Sequence, residues 1–382
     1  MSISTNKSEP IVLLRPRLPE AEKLLPLLRE IDATGIYSNG GPLLQRFQAS
    51  LGGWLGRRAG LASVHVVPTS SGTAAIEVAL RARAVRGRRI CLMPAYTFVA
   101  SAHAVCNAGL EPWLLDIEES SLALTPAIAI RALASLPEIP AAVLVVSAFG
   151  APVDVAAWEA FEAEHGIPVV YDAAAAVTSL RKIGRQPLCV SLHATKVFGI
   201  GEGGAVITED ADLAERARAI TGFGFTGTDR LSVLRGGNYR MSEYAAAIGL
   251  VVLSEIDEKI AAISELGRRY RDALVESPCR LQTGAATDWA TLTLNAIVPE
   301  PLLTTVLGEL DVDLIQWRRW WGFGVHTHPA FFGLRRASLA ATERSAWRVI
   351  GLPFHEGLTD TAIARVARCL VARSGHSRYG LQ

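Results

Sequence analysis

Seven short apolar runs rich in β-branched residues alternate with helical patterns between residues 64 and 210. This alternation is typical of a mostly parallel sheet with helices on both faces, because each parallel strand needs a crossover connection. We therefore predict an α/β fold here, with helices at about 72–85, 97–108, 126–136 and 154–166. The expected strands are Val64–Val67, Arg89–Met93, Glu111–Asp116, Ala141–Val146, Pro168–Tyr171, Cys189–Leu192 and Ala205–Thr208.

The flanking sequence predicts an N-terminal arm and a second domain. Pro19–Ile31 has amphipathic helical spacing, and a second helix is expected from Leu43. Residues 210–276 are predicted to be strongly helical, with one long helix opening at Ser242. Because a chain of 382 residues suggests two domains at ~150 residues each, we place a boundary near Ser277.

The segment after this boundary is expected to form a small α+β domain over residues 277–382, following an arm and large domain over 1–276. Its predicted elements are a strand over Ala290–Val298, a helix from about Pro301 and another strand around Val312–Ile315.

Composition excludes several classes of function. The net charge of +1 provides no field for nucleic acid or an anionic membrane. The five cysteines are scattered without CxxC or metal-like spacing, so we expect reduced thiols and no metal site. Met1–Pro10 lacks the apolar core of a signal peptide, and no apolar run approaches the ~18 residues of a membrane span. A cytoplasmic protein is expected.

Lys196 is the first candidate catalytic residue. It lies between an apolar strand-like run and a glycine-rich turn, in a chain with only five lysines against many arginines. A desolvated lysine can lose its proton and form an imine, which arginine cannot do. Alternatively, Lys196 simply ends a surface loop.

Three other strand ends carry candidate ligand contacts. Ser71-Gly72-Thr73 opens a helix, where free amides bind phosphate, although an ordinary N-cap has the same pattern. Phe98 either stacks on a planar ring or packs in the core. Asp172, after a buried strand and before four alanines, needs a cationic partner unless it caps a helix.

These four signals together fit pyridoxal 5′-phosphate (PLP). The cofactor requires a phosphate cradle, an aromatic platform, a carboxylate at its ring nitrogen and a lysine that bonds to its aldehyde. Their joint occurrence is more specific than any one of them.

The motifs also resemble those of the DegT/DnrJ/EryC1/StrS family of PLP-dependent nucleotide-sugar aminotransferases, over about residues 31–358. The resemblance rests on Ser-Ser-Gly-Thr-Ala-Ala (70–75), Pro-Ala-Tyr-Thr-Phe (94–98), Asp-Ala-Ala (172–174), Ser-Leu-His-Ala-Thr-Lys with Gly-Glu-Gly-Gly (191–204) and Gly-Asn-Tyr-Arg-Met-Ser-Glu (237–243). It implies PLP fold type I, like that of aspartate aminotransferase, and a homodimer with shared active sites.

The resemblance also assigns roles to individual residues. Lys196 and Asp172 match the catalytic lysine and the partner of the ring nitrogen. The cofactor contacts that it implies are Gly72, Thr73 and Ser191 at the phosphate, Phe98 on the ring, and Asn238 reaching the phosphate of the neighbouring subunit's cofactor. Substrate contacts are expected from Tyr37, Asn39, His193, Arg240 and His326.

One position departs from the family pattern. Ala175 stands where family members usually have Gln or His against the 3′-oxygen side of the ring, so a hydrogen bond is lost there. A dehydratase branch of the family replaces the lysine by histidine, and Lys196 argues against that branch.

The C-terminal part contains an unusual stretch of arginines and aromatic residues over 316–332. Arginine pairs with phosphate and tryptophan stacks on bases, so the stretch is suited to a nucleotide. It is equally suited to an apolar interdomain or dimer surface.

The resulting hypothesis is an aminotransferase that moves the amino group of an amino acid, L-glutamate by family resemblance, to a keto-deoxysugar linked to a nucleotide such as dTDP. Two alternatives are a PLP-dependent sugar dehydratase or lyase, because the same groups serve other carbanion chemistry, and a non-catalytic sensor that keeps the fold.

Overall fold

The computed structural model describes residues 9–62, 64–227 and 229–371. Residues 1–8, most of the segment in which we expect no signal peptide, and residues 372–382 at the end of the expected small domain lie outside the described ranges. Within those ranges, no helix has the length and apolar character needed to cross a bilayer.

The helices are α1 (Ala21–Thr34), α2 (Pro42–Ala59), α3 (Gly72–Arg83), α4 (Val99–Asn107), α5 (Pro126–Leu133), α6 (Val155–His165), α7 (Ala211–Thr221), α8 (Glu243–Ala273), α9 (Leu303–Val312), α10 (Ala340–Arg348) and α11 (Asp360–Leu370). The strands are β1 (His65–Thr69), β2 (Ile90–Pro94), β3 (Glu111–Leu115), β4 (Ala142–Val146), β5 (Val169–Asp172), β6 (Leu188–Ser191), β7 (Gly204–Thr208), β8 (Phe225–Thr226), β9 (Leu231–Ser232), β10 (Arg280–Leu281), β11 (Leu294–Ile297), β12 (Arg335–Arg336) and β13 (Val349–Leu352).

One eight-stranded sheet organises the large part of the fold. Its strand order is β1-β7-β6-β5-β4-β2-β3-β12, and β7 alone runs antiparallel to its neighbours. Every residue of β2, β4 and β7 is buried, as expected for strands covered by helices on both faces. The predicted mostly parallel α/β sheet is confirmed, and its carboxyl edge collects the segments after β1, β2, β4, β5 and β6.

The C-terminal part forms a three-stranded antiparallel sheet in the order β10-β11-β13. Its helices are α9, α10 and α11, as an α+β arrangement requires. The two-residue strand β12 belongs to the C-terminal part of the sequence, but it pairs in parallel with β3 at the edge of the large sheet. A strand of two residues has no detectable alternation, so the sequence did not predict it.

Two element predictions are wrong. Residues 210–276 are not continuously helical, because residues 222–242 form a glycine-rich turn region with the short hairpin of β8 and β9. The strand predicted around Val312–Ile315 is absent: α9 ends at Val312, Leu314 adopts a left-handed backbone with φ 55°, and Ile315 makes a single bridge to Ile11. Val312 and Leu314 are exposed there, and only Ile315 is buried.

A buried aromatic group fixes the segment that follows β6. Phe198 is fully buried, and its ring centroid lies 6.1 Å from that of Phe47 and 6.4 Å from that of Trp54, both on α2. Helix α2 in turn packs along α8. The position of Lys196, two residues before Phe198, is therefore set by the core.

Candidate active site

A cavity of about 490 Å³ lies at the carboxyl edge of the large sheet, where the C-terminal part covers it. Residues from at least five separate segments reach it. Among those predicted from the sequence, the cavity is lined by Gly72, Thr73, Phe98, Asp172, Ser191, His193 and Lys196.

The Lys196 loop is tightly closed by backbone hydrogen bonds. The amide of Lys196 donates to the carbonyl of His193 at 2.8 Å, and the amide of Ala194 donates to the carbonyl of Gly201 at 2.8 Å. Gly199 packs so close to Ala194 that a Cβ would lie 2.7 Å from its carbonyl oxygen. Because of this closure Lys196 faces the cavity, and the alternative of a surface loop end is wrong.

Asp172 ends β5 and is buried at the floor of the cavity. Its carboxylate accepts hydrogen bonds from Ser101 Oγ at 2.6 Å and from the Ala174 amide at 3.1 Å. Burial raises the pKa of Asp172, and these two donors together with the Lys196 ammonium oppose the rise. The sequence did not identify Ser101 as a candidate. Its hydroxyl also forms a hydrogen bond of 2.8 Å with the hydroxyl of Thr97, four residues earlier.

Burial acts on Lys196 in the opposite sense. It lowers the pKa of Lys196 from the ordinary 10.5, while the Asp172 carboxylate partly restores it. A larger fraction of this amine is therefore neutral near neutral pH than of an exposed lysine. A neutral amine is the form that attacks a carbonyl carbon.

This shift predicts the pH dependence of PLP uptake by the apoprotein. We expect the second-order rate of PLP binding to reach half its maximum below pH 10.5 and to fall as the pH falls through the pKa of Lys196. Stopped-flow absorbance measures this rate, and Nα-acetyl-lysine amide, whose ε-amine alone reacts with free PLP, is the reference. A midpoint equal to that of the reference would contradict the assigned burial.

The N-terminus of α3 supplies an anion cradle. The Ser71 side chain accepts a hydrogen bond from the Ala74 amide at 3.1 Å. The amides of Gly72 and Thr73, also in the first turn, have no acceptor within the helix. A Cβ on Gly72 would lie 2.7 Å from the Cβ of Ser191, so only glycine lets the Ser191 hydroxyl approach the helix end. Ser71 can therefore cap α3 while the amides of Gly72 and Thr73 bind a phosphate, so the two interpretations are compatible.

Phe98 does not belong to the core. It precedes α4, lines the cavity and is 54% exposed. Its ring is available to a planar ligand, and the alternative of core packing is wrong.

Five predicted residues lie outside this cavity. Arg240 donates to the side-chain oxygens of Asn238, at 3.0 Å, and Asn39. Tyr37 stacks on Tyr244 with ring centroids 6.3 Å apart. His326 is buried, with Nε2 3.8 Å from a carboxylate oxygen of Glu343. Tyr37, Asn39, Asn238 and Arg240 therefore form a group separate from the lining of this cavity.

The 316–332 stretch divides into two groups. Arg318, Trp320 and Trp321 line the cavity. Arg319 instead lies 5.2–5.4 Å from the ring centroids of Trp317, Phe323 and Trp347 in a separate cluster. Trp321 also stacks on Phe149, with centroids 3.8 Å apart, and both residues line the cavity.

The residues present fit PLP. The helix end with Ser71, Gly72, Thr73 and Ser191 matches the donor set of a phosphate site. Asp172 is a buried carboxylate whose raised pKa shows that it has less cationic compensation than its burial requires, which a protonated ring nitrogen would provide. Ala175 lines the same cavity and offers no side-chain hydrogen bond to the 3′-oxygen side of a ring.

Known proteins are similar to this chain over most of its length. Protein Rv3402c of Mycobacterium tuberculosis (strain ATCC 25618 / H37Rv) is 30% identical over 369 residues, which cover 93% of this chain and 88% of that protein.

Two solved structures match at comparable coverage. A putative PLP-dependent aminotransferase from Bacillus cereus ATCC 10987 has a TM-score of 0.87 at 28% identity, covering 95% of this chain and 100% of that one. DesI, solved in the presence of its TDP-sugar product, has a TM-score of 0.81 at 30% identity, covering 94% of this chain and 92% of that one. The fold is therefore PLP fold type I, as expected from the resemblance.

The profile of the DegT/DnrJ/EryC1/StrS aminotransferase family matches residues 19–371. Enzymes that act on nucleotide sugars are among its members. Together with the cavity that joins Lys196 to Asp172, this match shows that the chain belongs to the DegT/DnrJ/EryC1/StrS family and is a PLP-dependent aminotransferase.

Proposed function

We propose that this enzyme transfers the amino group of an amino acid, L-glutamate, to a keto-deoxysugar carried on dTDP, for the synthesis of amino sugars used in O-antigen or natural-product glycosylation. The observation that carries the proposal is one cavity in which a lysine of lowered pKa and a buried carboxylate face a helix N-terminus. The TDP-sugar product of the similar enzyme DesI supports a dTDP-linked substrate.

PLP, when bound, supplies an electron sink for the carbon that loses a proton. Lys196 Nζ would anchor the cofactor and, as a free amine, would take up and return the proton of the reacting substrate carbon. Asp172 keeps the ring nitrogen protonated. Gly72, Thr73 and Ser191 hold the phosphate, and Phe98 covers one ring face.

A product analysis tests the proposal. The protein is loaded with PLP and incubated with dTDP-linked 3-keto and 4-keto deoxysugars, with and without L-glutamate. We expect an amino-sugar nucleotide only with glutamate, together with an equal amount of 2-oxoglutarate. Loss of water from the sugar without use of glutamate would establish the dehydratase or lyase alternative. Binding of a nucleotide sugar without any turnover would establish the sensor alternative.

The proposal includes a cytoplasmic homodimer in which each chain divides into residues 1–276 and a small domain from Ser277. The free state of all five cysteines supports a reducing compartment. The cluster of Tyr37, Asn39, Asn238 and Arg240 supports the dimer, because it is exposed and lies outside its own cavity. We propose that Asn238 reaches the cofactor phosphate of the partner subunit.

Shared active sites predict complementation between two inactive variants. Lys196→Ala and Asn238→Asp proteins are each expected to be inactive, and their heterodimer has one intact site. After subunit exchange at equal concentrations we expect about a quarter of the wild-type activity, because half of the dimers are mixed and each carries one working site of two. Mixtures without activity, despite exchange shown by mass spectrometry, would place Asn238 in its own subunit's site, and an active Asn238→Asp protein would place it in no site.

A further inference from the structure

The small C-terminal sheet carries two buried amide side chains whose polar atoms are not all paired. Asn295 on β11 and Gln282 directly after β10 are each 2% exposed. Among the residues that the structure describes, Nδ2 and Oδ1 of Asn295 and Oε1 of Gln282 have no hydrogen-bond partner. The buried indole Nε1 of Trp320 has none there either. Because unpaired buried polar atoms are costly, these four atoms together indicate that a further polar group binds among them.

Strand pairing brings the amides into one row across the small sheet. Asn295 lies directly opposite Gly351 on β13. The amide and carbonyl of Gly351 bond to Arg318 on the other side, so Gly351 and Asn295 form a pair without mutual hydrogen bonds, with Cα atoms about 4.5 Å apart. On the far side of Asn295, the Gln282 amide donates to its carbonyl at 3.3 Å. Opposed residues of paired strands share a face, so Gln282, Asn295 and Gly351 lie side by side.

The Trp320 indole occupies the place of the side chain that Gly351 lacks. A Cβ on Gly351 would lie 2.0 Å from the indole Nε1, so only glycine admits the ring at this position. The indole N–H is therefore the neighbour of the Asn295 amide in the row. Among the described residues, those that line the cavity with Lys196 include Trp320 but not Asn295. An influence of Asn295 on the cavity therefore passes through Trp320.

The row faces the segment that follows β4, beside the cavity. Gln282 Nε2 donates to the carbonyl of Ala148 at 3.0 Å. The hydroxyl of Thr291 donates to the carbonyl of Phe149 at 2.9 Å. Phe149 lines the cavity and stacks on Trp321, which also lines it. The unpaired atoms thus lie in the layer behind one wall of the cavity.

We propose that one enclosed water molecule joins Asn295, Gln282 and Trp320, and that Asn295 is thereby a positioning residue for the Trp320 indole. The four atoms are two acceptors, Asn295 Oδ1 and Gln282 Oε1, and two donors, Asn295 Nδ2 and Trp320 Nε1. A water molecule donates two hydrogen bonds and accepts two, so it satisfies the whole set. A cation or an anion would satisfy only one half of it.

The water links the cavity wall to the sheet behind it. Both substrates of the proposed function enter the same cavity, so an indole that is no longer held should weaken the binding of each. PLP should remain bound, because Lys196, Gly72 and Ser191 belong to other segments. The effect on substrate binding rests on the proposed function, since it takes L-glutamate to be the amino donor.

The test uses Asn295→Leu, which keeps the approximate size without polar atoms, and Asn295→Ser, which keeps a hydroxyl. Trp320→Phe removes the indole N–H, and a double variant combines it with Asn295→Leu. The control is Asn107→Leu, at the exposed end of α4 outside the cavity. The Tm of each PLP-loaded protein is measured at fixed protein and PLP concentrations. A high-resolution crystal structure of the wild type shows whether a water molecule contacts Asn295, Gln282 and Trp320.

The sign of the stability change separates the two states of the amide. With the water in place, Asn295→Leu should lower Tm, because the Trp320 N–H and the Gln282 oxygen lose part of their network, and Asn295→Ser should lower it less. Without the water, replacing an unpaired buried amide by an apolar side chain should leave Tm unchanged or raise it, which would overturn the proposal. The double variant should lose less than the sum of its single variants, and additive losses would also overturn the proposal.

Titration with L-glutamate, followed by loss of the visible cofactor absorbance, tests the positioning role. We expect Asn295→Leu to raise the glutamate concentration at half conversion by about 10-fold, within the range for coupled neighbouring residues, while the rate at saturation changes less. Asn107→Leu should match the wild type. A lower Tm of Asn295→Leu with an unchanged half-conversion concentration would mean that Asn295 is merely structural, and would overturn the positioning role.

The design separates this inference from the function on which it rests. If glutamate does not convert the cofactor of the wild type, the proposed donor is wrong, while the crystal structure and the Tm cycle still decide the water site. If glutamate converts the cofactor but no water molecule contacts the three side chains, the proposed function stands and the water site is wrong.

Discussion

Replacing Lys196 by alanine is expected to lower kcat by between about 10⁴- and 10⁶-fold, because the proposed function makes this residue the covalent anchor of PLP and the group that moves the proton. Lys196→Arg should be as inactive, since arginine keeps the charge but neither forms the bond nor releases a proton. The variants should still fold, because the side chain faces the cavity while Val197, Phe198 and Ile200 hold the loop.

The measurement combines turnover with absorbance. PLP bound to Lys196→Ala should be removable by dialysis and should show the spectrum of a free aldehyde, whereas wild-type protein should retain a shifted visible band. Lys182→Ala is the matched control, because Lys182 is an exposed lysine paired with Glu159 at 2.5 Å. Normal turnover by Lys196→Ala would mean that another amine anchors the cofactor.

The sequence was sufficient to predict that most of the candidate cofactor-binding residues lie close together. Asp172, Ser191, Phe98 and Gly72 follow different strands, and parallel strands place their carboxyl ends at one edge. Once the apolar runs were identified as strands, their convergence was a consequence of topology. The locations of these residues therefore needed no knowledge of side-chain contacts.

Residues that depend on long-range packing were not found. Ser101 donates to Asp172 across 71 positions of sequence, and its serine has no distinguishing neighbours on α4. Arg318 and Arg319 are adjacent and chemically identical, yet one lines the cavity and the other packs among aromatic rings. The backbone of Arg318 pairs with Gly351, a contact between distant positions that the local sequence does not indicate.

The C-terminal strands were difficult to predict because their pairing also depends on tertiary contacts. The apolar run at Val312–Ile315 matches a strand pattern, but the structure uses Val312 as the last residue of α9 and turns the chain at Leu314. A run of four residues cannot distinguish a helix end followed by a turn from a strand. The pairing of β12 with β3 is likewise set by tertiary contact and by no local signal.

Substituting Asp172 by asparagine is expected to lower kcat by on the order of 10²–10³-fold, the range for losing one preorganised electrostatic group. Asparagine has nearly the same shape, so PLP should remain bound to Lys196. An amide cannot hold the proton on the ring nitrogen, and its NH2 group replaces one of the two oxygens that accept from Ser101 and from the Ala174 amide. The expected signature is an intact visible band with slow conversion by the amino donor.

The Ser101→Ala variant is a milder test, because it should reduce the negative charge of Asp172 without removing the carboxylate. The Ser101 hydroxyl lowers the pKa of Asp172, so its removal should raise that pKa and reduce the ionised fraction at a given pH. Activity lost in Ser101→Ala should then be largest at low pH and should recover as the pH rises through the new pKa, whereas Asp172→Asn should stay slow throughout. A Ser101→Ala loss that is the same at every pH would show that the hydroxyl positions the carboxylate without tuning its charge.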